Sequence, residues 1–376
     1  MKEGWEYKTL GECCDVNYGT RVVRSKVSGS EFPVYGGGGE TFRINCYNRE
    51  NCLVVARFAM SKQCTRYVNG KFFLNDSGLT VSPKKDSCLT KELLEKYLLA
   101  NNDLIYSFGR GSAQRNLNMS EFRSMLISFP IDNNEQRRIV SYLDSSFKLI
   151  DEIKNKALKS LTEAKALFQS ALAEAMEPKE GWEEKTLKEI GLTQTGTTPS
   201  KSNNAYYGNY IPFIRPSEIN IDGLGTIEYN SEIMLSQKGI EAGRKFTKKS
   251  ILMVCIGATI GKVGYSERDI SCNQQINVLS PYNGYNYKYL YYAMSSSVFQ
   301  KKVIMEGTSA QATLPIINKG KWEKLLLYIP PLSTQKLIVS RLDKLSSKVR
   351  AIEEKYQKMV EECDALKQAM LRDVFE

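Results

Sequence analysis

Gly181-Trp182-Glu183-Glu184-Lys185-Thr186-Leu187-Lys188-Glu189 restates Gly4-Trp5-Glu6-Tyr7-Lys8-Thr9-Leu10-Gly11-Glu12 at a distance of 177 residues. Two further echoes follow. Gln136-Arg137-Arg138-Ile139-Val140-Ser141-Tyr142-Leu143-Asp144 returns as Gln335-Lys336-Leu337-Ile338-Val339-Ser340-Arg341-Leu342-Asp343, 199 residues on. Leu167-Phe168-Gln169-Ser170 returns as Leu366-Lys367-Gln368-Ala369 at the same distance. The 376 residues are therefore a tandem duplication. A period this long excludes solenoids and propellers, whose units run about 20–50 residues. It leaves two halves, each large enough for its own core. What repeats is a frame, and most of what lies inside the frame does not repeat. That pattern suits two binding heads of different preference on a common scaffold.

The end of each frame carries a heptad pattern. Ile338, Leu342, Leu345, Val349, Ile352, Tyr356, Met359, Cys363, Leu366 and Met370 fall at alternating steps of four and three, a coiled-coil seam. The first copy reads Ile139, Leu143, Ser146, Ile150, Ile153, Ala157, Ser160, Ala164, Leu167 and Ala171, with smaller side chains. Neither stretch contains Pro or Gly. Pro178 closes the first, and Pro330-Pro331 with Ser333 as N-cap opens the second. Each predicts a helix of roughly 40 residues, about 60 Å long. The two are expected to pack antiparallel as a spacer. The expected coiled-coil and subunit-interface residues are Ile150, Ile153, Ala157, Ala164, Leu167 and Ala171 in the first copy. In the second they are Leu345, Val349, Ile352, Tyr356, Met359 and Leu366.

Composition removes several chemistries. There is no histidine, so Ser-His-Asp and Cys-His nucleophile pairs are excluded. Nine cysteines include no Cys-x-x-Cys pair, which argues against structural zinc and for reduced thiols in a reducing compartment. Gly257-Ala258-Thr259-Ile260-Gly261-Lys262-Val263 mimics a phosphate-binding loop, but it is one residue short and has Val263 where a magnesium-binding Ser or Thr belongs. The longest apolar run, Ile251 to Ala258, is too short for a bilayer, which needs about 20 residues. Met1-Lys2-Glu3-Gly4-Trp5 lacks the apolar core of a signal peptide, and a cytoplasmic location is expected. The net charge of +10, from 52 Lys and Arg against 42 Asp and Glu, suits an anionic partner such as nucleic acid.

Inside the frame, short β-rich runs such as Leu53-Val54-Val55-Ala56 alternate with polar, Gly-rich loops. These loops are Asn17-Tyr18-Gly19-Thr20-Arg21, Tyr35-Gly36-Gly37-Gly38-Gly39 and Thr195-Gly196-Thr197-Thr198-Pro199-Ser200-Lys201, and loops on a rigid scaffold are where recognition sits. Ser112-Ala113-Gln114-Arg115-Asn116-Leu117 also matches Ser309-Ala310-Gln311-Ala312-Thr313-Leu314. Gln pairs bidentately with adenine and Ser bonds phosphate or base; the other reading is a turn-stabilising glutamine.

At this point the chain resembles the DNA-specificity (S) subunits of type I restriction-modification systems, over essentially its whole length. The carriers are the two Gly-Trp-x-x-Lys-Thr-Leu openings, Thr195 to Ser200 followed by Tyr206-Tyr207-Gly208, and Ile256 to Gly264. Cys272-Asn273-Gln274-Gln275-Ile276, the Ser-Ala-Gln-x-x-Leu segments and Pro330-Pro331-Leu332-x-x-Gln335 complete them. The resemblance implies an α+β architecture: two globular mixed α/β target recognition domains (1–132 and 178–332), separated by two long antiparallel coiled-coil helices (133–177 and 333–376), in a pseudo-two-fold tandem repeat. It implies a non-catalytic reader of a bipartite, asymmetric double-stranded DNA target, docked by two methyltransferase subunits and joined by restriction subunits, with no membrane role. No cofactor is expected on this chain; S-adenosylmethionine, ATP and Mg belong to those partners. The first half has Val34-Tyr35-Gly36 and Phe72-Phe73-Leu74-Asn75-Asp76-Ser77-Gly78 in place of the Thr-Pro-Ser and Gly-Ala-Thr motifs, so the two domains are expected to belong to different subfamilies. The candidate DNA contacts are Arg21, Lys62, Arg66, Ser112 and Gln114, then Thr198, Lys201, Arg215, Lys262, Ser309 and Gln311. The alternative is a DNA-binding scaffold or regulator with no link to methylation.

Overall fold

The computed structural model describes residues 2–112, 114–221, 223–229, 233–307 and 315–375. They form two compact units. One takes the chain up to Ala157 together with the residues from Gln357 onward; the other is Leu158–Tyr356. The long helices are therefore not separate domains. Each contributes one part to each unit.

The first unit opens on the repeated sentence. Gly4 has φ +76°, a left-handed conformation natural to glycine. Strand Trp5–Thr9 then pairs antiparallel with Leu126–Pro130. The Glu12 carboxylate reaches back to the Thr9 N–H at 2.7 Å and the Thr9 hydroxyl at 2.8 Å, as in a capping box, and starts the helical turn Leu10–Cys13. A six-stranded sheet follows, in spatial order Cys14–Tyr18, Gly78–Pro83, Arg49–Ala56, Thr65–Leu74, Phe32–Tyr35 and Glu40–Ile44. The unbroken apolar run Cys52 to Ala56 is buried throughout, as a strand covered on both faces requires. Helix Lys91–Ala100 buries Leu93, Leu94, Tyr97 and Leu98 in the unit's main core.

The second unit rebuilds the frame from the second copy. Gly181 has φ +81°. Strand Glu183–Thr186 pairs with Leu326–Ile329, and Glu189 caps Thr186 at 2.7 and 2.6 Å. The main sheet has four strands, Gly191–Thr195, Ile276–Pro281, Ile251–Val254 and Val263–Tyr265, and helix Tyr287–Ser295 stands where Lys91–Ala100 stands in the first. Both units add a strand by parallel pairing: Val34 lies opposite Phe73, and Phe213 opposite Ser271.

The second echo is written around a glutamine because that side chain locks helix to domain. Gln136 is wholly buried. Its amide donates to the Cys88 and Pro130 carbonyls at 2.9 and 2.7 Å and accepts from the Thr90 N–H at 2.8 Å. Gln335 donates to the Pro330 carbonyl and accepts from the Asn286 N–H, both at 2.8 Å. Thr90 and Asn286 immediately precede the helices Lys91–Ala100 and Tyr287–Ser295. The aspartates that end the echo are used alike: Asp144 pairs with the Lys96 ammonium, and Asp343 accepts from the Tyr292 hydroxyl at 2.7 Å.

The long helices span Asn133–Ala175 and Leu332–Phe375. They run antiparallel within each unit. In the first, Asp151 pairs with Lys367 at 2.6 Å and Lys154 with Asp364 at 2.8 Å; in the second, Lys165 pairs with Glu353 at 2.6 Å and Glu174 with Arg341 at 3.4 Å. Three expectations are corrected. Within the helix pair, Ile153 and Leu167 are 49% and 61% exposed, so they are open to a subunit and not part of the seam, whose inward positions belong to Lys154, Leu161 and Phe168. Adjacent residues differ by about 100° around a helix, and the face is set by Phe168, whose ring lies 6.3 Å from Tyr292 in the second unit's core. Leu366 is 50% exposed while Lys367 turns inward, laying its alkyl stem along the seam with its charge at the edge. Finally, the second helix begins at Leu332, and the Pro331 carbonyl accepts from the Gln335 N–H at 3.0 Å, so Ser333 lies inside the first turn and does not cap it. Ile150, Val349 and Phe168 are buried, and Ala157, Ala164, Ala171, Leu345, Ile352, Tyr356 and Met359 are half-buried.

Candidate nucleic-acid interface

In each unit the variable loops gather at one end of the main sheet, and both gatherings are built on the same backbone device. In the first, the Gly19 N–H donates to the Gly78 carbonyl and the Thr20 N–H to the Leu74 carbonyl. The next turn is held by Asn75, whose N–H meets the Tyr35 carbonyl and whose side-chain oxygen accepts from the Ser77 N–H at 2.9 Å. In the second unit, Gly196 donates to Ile276, Thr197 to Cys272 and Asn273 to Ile214, and the Asn273 side chain accepts from the Gln275 N–H at 3.1 Å. A Cβ on Gly19 would stand 1.9 Å from the Asn75 carbonyl oxygen, and one on Gly196 would stand 2.1 Å from that of Asn273. Glycine is required at both by close approach. The motifs Asn75-Asp76-Ser77-Gly78 and Asn273-Gln274-Gln275-Ile276 are thus equivalent turns. In the sequence, Phe72 to Gly78 stands against the Gly-Ala-Thr motif and not against Asn273 to Ile276, so the equivalence is visible only in the fold.

Around the first turn lie Gly36 to Gly39, the segment from Arg57 to Gln63, and Arg115-Asn116. Gly37 donates to the Ser77 hydroxyl at 3.2 Å, and the Met60 N–H meets the Arg115 carbonyl at 2.9 Å. Arg21 is exposed just beyond Gly19. Lys62 is exposed on a turn pinned by Asn102, whose amide donates to the Lys62 carbonyl at 2.8 Å. Arg66 is half-buried on strand Thr65–Leu74; its guanidinium donates to the Gln63 carbonyl at 3.3 Å and lies against Gly39. Ser112 and Gln114 are exposed on the turn between Gly109–Arg110 and Asn116–Leu117. Arg57 was not singled out in the sequence. Its guanidinium lies 4.7 Å over the Tyr18 ring and 4.5 Å over Phe58, a cation stacked between aromatic faces. Its signal was a basic residue directly after a buried strand.

In the second unit Thr198, Lys201 and Arg215 converge on a cleft of about 220 Å³, with Tyr207, Asn273 and Gln274. The Thr198 hydroxyl donates to the Gln274 side-chain oxygen. Arg215 carries a second duty: its guanidinium and backbone N–H both bind the buried Glu218, at 2.9 and 2.7 Å. Lys262 lies apart from this cleft, on the turn joining Ile251–Val254 to Val263–Tyr265. That turn leads into a strand and not a helix, so the Gly257–Lys262 stretch has no phosphate-loop geometry. Ser309 and Gln311 lie outside the described residues. Arg244, also missed, donates to the Thr195 carbonyl at 2.6 Å and braces the loop.

The thiols near these loops are inert. Burial pushes the Cys64 thiol up to about 11 and the Cys255 thiol up to about 12, leaving both neutral at pH 7. Among the described residues no group of His, Cys, Asp and Glu is placed to hold a metal ion, and no helix is long and apolar enough to cross a membrane.

Two units on one frame, each presenting basic, hydroxyl and amide side chains from loops, define a duplicated recognition protein. The family model for the type I restriction modification DNA specificity domain matches residues 2–163 and again 179–362, and the chain belongs to that family. The HindI specificity subunit of Haemophilus influenzae is 31% identical over 44% of this chain, a stretch that spans only 37% of that relative. The EcoR124I/EcoR124II specificity subunit of Escherichia coli is 24% identical over 73% of this chain and 69% of its own. A solved structure concerned with complex assembly and conformational transition of the type I R-M system shares the fold, with a TM-score of 0.71 at 19% identity over 100% of this chain and 98% of that one.

Proposed function

We propose that this chain is the specificity subunit of a type I restriction-modification complex. Each unit reads one half of a bipartite, asymmetric double-stranded DNA target. Adenine methyltransferase subunits dock on the chain, two per complex, and restriction subunits join them. The chemistry then lies in those partners, which bring S-adenosylmethionine, ATP and Mg, and the complex works in the cytoplasm. The observation that carries the reading is the shared Gly–Asn loop device: one backbone scaffold in both units, with different side chains on it. Arg21, Lys62 and Lys201 suit phosphate contacts, which fix register without reading sequence. Gln114, Thr198 and Gln274 suit base edges.

The test is a genome-wide map of methylated adenines in the host, with and without this gene. A two-part motif should vanish on deletion; an unchanged map refutes the proposal and favours a DNA scaffold unconnected to methylation. Exchanging residues 195–325 for those of another family member should alter one half-site and leave the other intact, and a change in both would sink the modular reading. Lys62→Ala should weaken binding to all duplexes alike and lower the salt slope of log K by about one, measured by titration at several salt concentrations.

A further inference from the structure

A cleft of about 930 Å³ opens in the first unit between helix Lys91–Ala100, strand Thr65–Leu74 and the first long helix. Leu99, Val140 and Phe147 give it an apolar lining, and Glu92, Glu95 and Glu152 line it as well. The frame identifies its counterpart. Lys96 and Tyr292 are equivalent: each stands six residues after the N–H that meets the buried glutamine, and each binds the aspartate at the end of the echo. By the same offsets Glu95 matches Tyr291 and Asp151 matches Arg350.

In the second unit that place is filled by the chain itself. Residues 219–221 and 223–227 run across strand Val263–Tyr265, with Ile219 and Ile227 against Gly264. Leu224 is buried in one cluster with Val263, Tyr291 and Val349. Gly225 lies so close to Tyr291 that a Cβ would stand 2.5 Å from the ring. Arg350 donates to the Leu224 carbonyl and the Thr226 hydroxyl, both at 3.1 Å. The first unit has no such segment over its cleft among the described residues, and it carries carboxylates where the second carries Tyr291 and Arg350. Asp151, which pairs with Lys367, replaces Arg350, and Glu95, which pairs with Lys91 at 3.8 Å, replaces Tyr291, while Glu92 and Glu152 have no ion-pair partner among the described residues. Lys96, also in the cleft, is engaged by Asp144. This acidic, apolar-lined groove stands out in a chain of net charge +10.

We propose that the groove takes a segment of a partner protein, one per chain, that lays an aliphatic side chain against Leu99, Val140 and Phe147 and an arginine or lysine against Glu92 and Glu152. The aliphatic residue repeats the role of Leu224 in the second unit, and the cation answers the groove's carboxylates. Burial raises the Glu95 carboxyl above its usual range, and an arriving cation would oppose that shift. The duplication makes two such places, and the second is already plugged, so the occupant breaks the two-fold pattern.

The test titrates the full chain calorimetrically with two hexapeptide amides, GLRLKG and its acidic counterpart GLELEG. The cationic peptide should bind at one per chain, and Glu92→Lys with Glu152→Lys should weaken it at least about tenfold. Both side chains are exposed, so the variant keeps its core, and its unchanged discrimination between target and scrambled duplexes, which added charge does not set, separates this test from that of DNA reading. No binding, two peptides per chain, equal binding of GLELEG or indifference to the double variant each overturns the proposal. Displacement of GLRLKG by duplex DNA would also overturn it, by assigning the groove to nucleic acid.

Discussion

Gly19→Ala is expected to destabilise the first unit by about 2 kcal/mol and to abolish recognition of one half-site while leaving the other readable. The added methyl would stand 1.9 Å from the Asn75 carbonyl oxygen, so either the loop after strand Cys14–Tyr18 or the Asn75 turn must move. That turn also meets Tyr35, Ser77 and Gly78 through hydrogen bonds, and Gly36 and Gly37 lie against it. A displacement there is passed to every loop that carries a candidate contact. Gly196→Ala should do the same in the second unit, where the methyl meets the Asn273 carbonyl oxygen at 2.1 Å. Half-site binding by each variant, measured on duplexes with one half-site scrambled, checks the assignment. Loss of both half-sites from one substitution would contradict independent loop clusters.

Gln136→Leu is expected to cost roughly 4 kcal/mol, the largest single-residue stability loss in the frame. The substitution keeps approximate volume but strands the Thr90 N–H and the Cys88 and Pro130 carbonyls, and each unsatisfied buried group costs about 1–3 kcal/mol. It also removes one of two ties between the first long helix and the helix Lys91–Ala100, leaving the Asp144–Lys96 pair. Arg138→Ala, two residues on, removes only an exposed ion pair with Glu135 and should change stability by less than about 0.5 kcal/mol. Thermal unfolding of the two variants side by side is the measurement. A Gln136→Leu protein as stable as Arg138→Ala would show that the glutamine is not a lock.

The frame was legible because each repeated residue has a fixed backbone duty. Gly4 and Gly181 need a left-handed turn, Thr9 and Thr186 accept a glutamate cap, and Gln136 and Gln335 satisfy buried peptide groups. Such duties leave the same letters twice. The recognition loops were only partly legible, for the opposite reason. Their scaffold is made of main-chain hydrogen bonds, which leave a trace only at Gly19 and Gly196, where space forbids a side chain, and at Asn75 and Asn273, where an amide holds a turn. The letters between are free to differ, so the shared device is visible only in the fold. The heptad seam was legible as a pattern but not in its phase in the first helix. Leucine and isoleucine occupy both candidate faces there, and the bulk of Phe168 and the reach of Lys154 decide between them. The unfilled cleft could not be read at all, because it is defined by a segment present in one half only.

Two of the ion pairs along the long helices share a polarity. Lys154 pairs with Asp364 and Lys165 with Glu353, and the duplication places Lys154 in register with Glu353 and Lys165 in register with Asp364. In these two pairs one helix supplies both cations and its mate both anions, whereas Asp151–Lys367 and Glu174–Arg341 run the other way. Two copies of the first helix laid antiparallel would bring Lys154 against Lys165 twice, and two copies of the second would oppose Glu353 and Asp364 twice. The paralogous halves are thereby marked as unlike, in the manner of a plug and its socket. A recombination event that exchanges loops between relatives leaves that marking intact, whereas one that crosses over within a helix erases it.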